Sequence, residues 1–322
     1  MIQFIKTRTG CIMCDTKKML EYLYVGDYGK ESNIKANFLG YTKEINGVQH
    51  KDVDFTQKLV VTISTQKGCP MKCMFCDCPN IPFRGNVSRD ELAEQVQNCI
   101  RDSKCVHTDR FNLHLARMGE PSFNTDVLDF VANDLRNLVL SEMDADVIHP
   151  VFTTMLPKYN RHLIERLLRW CYIKNHIYGG EAGLQFSINS TDEAQRFGLF
   201  RGMSHSLNEI AEIAKLLPMP VGRKYTLNFP VTKNTILDSK ELSRLFEKDK
   251  WIVKITPIHE TKEAIANGII TDAGYYSYDV YRQFEQPLLD EGWDVIVFIP
   301  SKEEDEDRIT CGNALLAHIN EQ

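Results

Sequence analysis

From residue 58 onward, short β-branched and apolar runs alternate with stretches in which apolar residues recur every three to four positions. The runs at 58–64, 111–116, 147–155, 184–188, 225–231, 251–257 and 293–299 predict strands. Between them, a capping box at Ser88 and Glu91 opens a helix with Leu92, Val96 and Ile100 on one face. The same period predicts helices over 126–140, 161–174, 207–217, 239–247 and 278–289. Strands that alternate with helices pair in parallel through right-handed crossovers. The expected fold is therefore α/β, a partial or full (β/α) barrel over 58–300, with an open doubly wound sheet as the alternative. In a barrel, functional residues follow the C-terminal ends of the strands.

Residues 1–57 break this rhythm and predict a small N-terminal extension. It holds Cys11 and Cys14 as a C-x2-C pair, a short helix over 17–23, and a hairpin over 38–53 turning at Asn46 and Gly47. A tail over 301–322 begins with an acidic stretch that reads as a solvated loop and ends in a short helix after Gly312.

Composition narrows the class. The 322 residues are 43% hydrophobic and 25% charged, as in ordinary globular chains. No apolar run approaches the roughly 20 residues of a membrane helix, and the first residues turn polar too soon for a secretory signal. The expected location is cytoplasmic, with no membrane partner. A net charge of -6 confines any nucleic-acid site to a local patch. Ten cysteines in a reducing compartment point to metal or redox chemistry.

That chemistry centres on Cys69, Cys73 and Cys76, a C-x3-C-x2-C loop directly after the first barrel strand. Three thiolates bind three corners of a [4Fe–4S] cube and leave one iron open. S-adenosyl-L-methionine chelates such an iron through its amino and carboxylate groups, and an electron from the cluster yields a 5′-deoxyadenosyl radical. Zinc on the same thiols with Cys78 is the alternative. Further strand ends supply candidate cofactor contacts. Gly119 admits close backbone approach, and Glu120 accepts from the ammonium of S-adenosylmethionine. Thr153, Thr154, Ser187, Asn189 and His259 occupy equivalent places after later strands. Each also has a plain structural reading as a helix cap or core histidine.

The residues resemble the RlmN/Cfr family of radical S-adenosylmethionine methyltransferases, which methylate an adenine of RNA. The likeness rests on the loop from Gly68 to Cys76, on Phe83 to Asn86 with its capping box, on Met118 to Pro121, and on Cys311 with Gly312. It implies a radical SAM barrel, a methyl-carrying Cys311 as the catalytic residue, a nucleic-acid substrate such as RNA, and an electron donor such as flavodoxin or ferredoxin. The chain departs from the family at one position: seven residues before Cys69, where the family has the cysteine that resolves the product as a disulfide, stands Thr62. Cys78, Cys11 and Cys14 are the thiols available to replace it. A radical enzyme acting on a peptide or small metabolite, without a methyl-cysteine, is the competing reading.

Overall fold

The computed structural model describes residues 2–26, 44–45, 48–49, 55–275, 277–300 and 302–321. Its strands in chain order are β1 (Ile2–Lys6), β2 (Gly10–Asp15), β3 (Leu20–Gly26), β4 (Glu44–Ile45), β5 (Val48–Gln49), β6 (Leu59–Thr62), β7 (Gln66–Lys67) and β8 (Gly85–Asn86), followed by β9 (His107–His114), β10 (Asp144–Thr154), β11 (Gly183–Ser187), β12 (Tyr225–Val231), β13 (Trp251–Pro257) and β14 (Val295–Val297). Ten of them form one sheet in the order β1-β2-β3-β6-β9-β10-β11-β12-β13-β14. From β6 to β14 all neighbours pair in parallel. The order is open among the described residues, so the architecture is a partial barrel rather than a closed one.

The sheet has two unlike faces, because residues in register on parallel strands point the same way. Leu59, Val61, Phe111, Leu113, Phe152, Leu184, Phe186, Leu227 and Val253 are fully buried under the crossover helices. The other face carries Thr62, Asn112, His114, His149, Thr153, Gln185, Ser187, Thr226, Asn228 and Lys254, joined by the pairings Thr62 to His114, His149 to Asn112, Thr153 to Gln185, Gln185 to Thr226, Ser187 to Asn228 and Asn228 to Lys254. A sheet with one aliphatic and one polar face covers the first with helices and leaves the second to line a chamber.

Helices run over Arg89–Ser103, Leu163–Tyr172, Leu207–Leu216, Ser239–Leu245 and Asp279–Asp290, close to the expected spans. The Ser88 capping box is present: Ser88 Oγ accepts from the Glu91 amide at 3.3 Å, and Glu91 Oε2 accepts from the Ser88 amide at 3.0 Å. The helix expected over 126–140 is two, Thr125–Asn133 and Leu135–Glu142. Asp134 sits at the break, with its carboxylate held by Arg89 at 2.6 Å.

The N-terminal expectations need correction. The stretch at 17–23 is not a helix but a turn leading into β3. Buried on both faces, β3 shows no alternation, and a short segment without period 2 does not distinguish strand from helix. The strands β1 to β3 extend the main sheet, with β3 antiparallel to β6. The β4–β5 pair lies within the expected hairpin, whose turn at Asn46 and Gly47 is outside the described residues. The acidic stretch after residue 301 holds a short helix, Lys302–Glu306, because Asp305 turns inward to His259 at 3.0 Å and accepts from the Glu260 amide at 2.9 Å.

The C-terminal strap returns to the beginning of the chain. Glu21 and Arg117 form an ion pair whose side chains are wholly buried, with Arg117 Nε donating to Glu21 Oε1 at 2.8 Å. Arg117 also donates to the carbonyls of Arg308, Thr310 and Asn313 at 2.8, 3.0 and 3.1 Å. Glu21 accepts from the amides of Leu315 and Leu316 at 3.2 and 2.8 Å. One buried pair thus joins β3, the end of β9 and the strap. Removing one partner of such a pair strands a buried charge, so Glu21→Gln is expected to cost about 3 kcal/mol or more of stability, read by urea denaturation. A loss within 1 kcal/mol of the parent, about the worth of a surface pair, would place the clamp among dispensable contacts.

Candidate functional site

The three-cysteine loop is a pinched hairpin. β7 pairs with β8 at its base, closing residues 68–84 into one excursion after β6. Gly68 has φ +76°, and a Cβ there would lie 2.7 Å from the Pro82 carbonyl oxygen and 2.8 Å from Phe83 Cα, so no side chain fits. Cys69, Cys73 and Cys76 are half-buried, between two small apolar clusters. Cys73 Sγ lies 3.8 Å from Met155 Sδ at the end of β10. Burial first, then the neighbouring cysteines, pushes the Cys69 and Cys73 thiols well above the ordinary range. Cys76 shifts the other way because the Cys78 thiol hydrogen-bonds to it.

The strap sets Cys311 against this loop. The Asp77 amide donates to the Gly312 carbonyl at 2.8 Å, and a Cβ on Gly312, at φ +84°, would meet Cys76 Sγ at 3.4 Å. Asp77 is held from the other side by His318 at 2.9 Å and by the Glu263 amide at 3.0 Å. Cys311 is exposed as a residue, and its Sγ lies 3.5 Å from the Ala116 carbonyl oxygen. Its thiol is pushed up to about 11 by the protein around it and by Cys76, with Arg117 and Lys254 opposing. The acidic stretch contributes no cause of that shift, since Asp305 faces His259 instead.

The remaining candidates gather at the same end of the sheet. Glu120 is buried and accepts from the amides of Ser122 and Met155, each at 3.0 Å; burial raises its carboxyl. Gly119 packs on Gln66, whose Oε1 accepts from the Glu120 amide at 2.9 Å. Thr153 ends β10 on the polar face, and Thr154 Oγ1 accepts from the Leu156 amide at 3.0 Å. Ser187 gives its carbonyl to Arg196 at 2.8 Å. Asn189 is buried at φ +65°, and both its amide oxygen and its amide nitrogen lack a hydrogen-bond partner among the described residues. His259 is tied to Asp305 rather than directed at the loop by that nitrogen.

Two groups hold the site in shape that the sequence reading did not single out. Arg196 is buried over the Phe200 ring at 4.6 Å and binds carbonyls of both β10 and β11 ends, including Met155 at 3.5 Å. Arg117 was visible only as the residue before the Met118 to Pro121 motif. Among the described residues, three donor groups close enough for one ion occur at His107, Asp109 and Asp146, within 4.8 Å of one another. The loop cysteines do not form such a set. The paired reading of Cys11 and Cys14 also fails: three apart on β2, they point to opposite faces and belong to different apolar clusters.

No family model matches the chain. The probable dual-specificity RNA methyltransferase RlmN of Thermotoga petrophila is 23% identical over 234 residues, which cover 71% of this chain and 63% of that protein. The protein of the same name from Treponema denticola is 26% identical over 191 residues, 58% of this chain and 49% of that one. The chain thus spans less than two thirds of the length of these relatives. A radical SAM methyltransferase from Sphaerobacter thermophilus superposes with a TM-score of 0.64 over 98% of this chain and 81% of that one, at 16% identity, a likeness of fold. The resemblance drawn from the motifs is matched by relatives in sequence and by a neighbour in structure. No described helix is long and apolar enough to cross a membrane.

Each of Cys69→Ala, Cys73→Ala and Cys76→Ala is expected to lose at least half of the iron bound by anaerobically purified protein, and Cys78→Ala to retain it. Iron and sulfide analysis reads the outcome; equal iron in all four variants would release the loop from that role.

Proposed function

We propose that this chain is a radical S-adenosylmethionine methyltransferase of the RlmN/Cfr kind, with a [4Fe–4S] cluster on Cys69, Cys73 and Cys76 and with Cys311 as the methyl carrier to an RNA base. The observation that supports this most is the seating of Cys311 against the cluster loop by the buried Arg117–Glu21 clamp. An incidental thiol has no need of three convergent contacts from a buried arginine to the backbone on either side of it.

The cluster, when bound, supplies the electron that splits S-adenosylmethionine. Around it the chain supplies recognition. Glu120 lies beside Met155 and Cys73, where a carboxylate accepts from an ammonium. The orphaned amide of Asn189 offers a donor and an acceptor to the hydroxyl groups of a ribose. Such an amide is costly to bury unless a ligand satisfies it. Cys311, exposed as a residue, takes the methyl group of S-adenosylmethionine on its sulfur, with S-adenosylhomocysteine leaving and the thiol proton lost. A reduced flavodoxin or ferredoxin is the fitting electron donor.

Thr62 ends β6 level with His114 and cannot form a disulfide. Of the other thiols, Cys11 belongs to the core on the far side of β2, whereas Cys14 and Cys78 share an apolar cluster with Cys69 and Cys76. Cys78 is the replacement closest to the loop, with its thiol hydrogen-bonded to Cys76. Thr62 also favours a second reading, a radical reaction on a peptide or metabolite in which Cys311 carries no methyl group.

Anaerobic protein given a reductant and S-adenosylmethionine is expected to release 5′-deoxyadenosine and S-adenosylhomocysteine and to show one added methyl on the Cys311 peptide by mass spectrometry. Cys311→Ala should lower S-adenosylhomocysteine to background. Unchanged output would remove Cys311 from the reaction, and absence of 5′-deoxyadenosine from the parent would remove the radical chemistry.

A further inference from the structure

The polar face of the sheet is concave, since the charge of Lys254 on β13 reaches both His114 on β9, four strands away, and Cys311, and the chamber this face lines is one-sided in charge. Its floor is closed by Glu181, which is already engaged by Arg110 at 2.6 Å, His149 at 3.2 Å and Arg223 at 3.5 Å. Above that floor no strand from β6 to β14 places an acidic residue on this face. Lys254 stands there on β13, half-buried, level with Asn228 on one side and Ile296 on the other. Its ammonium lies 5.6 Å from the Phe298 ring, and no carboxylate pairs with it among the described residues. Burial and Lys58 push its pKa down to about 8, while Cys311 opposes. His114 is pushed down to about 3 by burial and by Lys254, His149 and Lys58, so it is neutral and supplies no competing charge. Two amide oxygens on the same face, Asn112 Oδ1 and Asn228 Oδ1, are buried without a partner among the described residues.

A half-buried cation with no carboxylate beside it among the described residues is an incomplete pair. The orphaned amide oxygens of Asn228 beside it and of Asn112 on the same face call for donors, such as the exocyclic amine or hydroxyl groups of a nucleoside. We propose that Lys254 receives an oxyanion inside this chamber and that a nucleotide unit of the substrate supplies it as phosphate. The inference rests on the proposed function for the substrate class and for Cys311 as its neighbour. The carboxylate of S-adenosylmethionine is the other source of an oxyanion, and the experiment separates the two.

The full chain with reconstituted cluster is acylated with a small amine reagent alone, with AMP, with inorganic phosphate, or with S-adenosylhomocysteine, and the Lys254 peptide is quantified by mass spectrometry. AMP is expected to lower Lys254 labelling about fivefold or more while leaving Lys215 on the surface unchanged, as charge-assisted contact shields the amine. Calorimetry should show AMP binding about tenfold weaker in Lys254→Gln and within about threefold of the parent in Lys254→Arg. Protection by S-adenosylhomocysteine alone assigns the oxyanion to the cofactor and overturns the proposal. Protection by phosphate but not AMP, or by neither, overturns it as well. Equal iron content and melting temperature in the variants exclude misfolding. A parent without iron fails the radical reading and leaves the labelling result standing on its own.

Discussion

The site exists because a carboxylate near the start of the chain and a guanidinium 96 residues later are buried together. Neither charge is tolerable alone in that interior. Their remaining hydrogen-bond capacity is taken up by the backbone of the strap: three carbonyls on Arg117 and two amides on Glu21. The strap therefore cannot leave without uncovering both ions. The arrangement makes the position of Cys311 a property of the core rather than of a mobile tail. It also explains why the N-terminal meander is built into the main sheet, since Glu21 must be carried on a rigid strand to meet Arg117.

The second constraint is the division of the sheet into two faces. Parallel strands under helices usually read as continuous apolar runs. Here β6, β11 and β12 alternate instead between buried and half-buried residues, and β13 does so over its first four. An α/β sheet pays for a polar inner face only where the chamber is used. The cysteine loop, Glu120, Thr153, Ser187 and Asn189 all lie beyond or at strand C-terminal ends, as the placement rule for such barrels requires.

How much of this was legible in the sequence varied with the range of the interaction. The parallel strands of the main sheet and the Ser88 cap are encoded by neighbours a few residues apart, and they were read correctly. The strand β3 was not, because both of its faces are covered, one by Asn98 on the helix Arg89–Ser103 reaching Tyr22 at 2.9 Å and the other by the strap. Burial on both sides erases the period that separates strand from helix. Cys11 and Cys14 looked paired because linear spacing says nothing about face until the element is known. Asp305 looked solvated in its acidic run, and only the fold brings His259 to it.

Lys254 shows a further limit of pattern reading. In a strand running Ile252, Lys254, Thr256 against Val253 and Ile255, the lysine reads as a solvent-facing residue. Whether that face meets bulk water or an enclosed chamber depends on the curl of the whole sheet, which no local pattern records. The same reasoning bears on net charge. An acidic total of -6 argued against a nucleic-acid partner, yet among the described residues the parallel strands themselves carry no carboxylate level with Lys254, and Glu181 at the floor is paired with Arg110 and Arg223. The field that a ligand meets there is set by the few groups within a Debye length or so, about 8 Å at physiological salt, and not by acids on the outer surface. A chain can therefore be acidic overall and still present a cationic chamber to an anionic substrate.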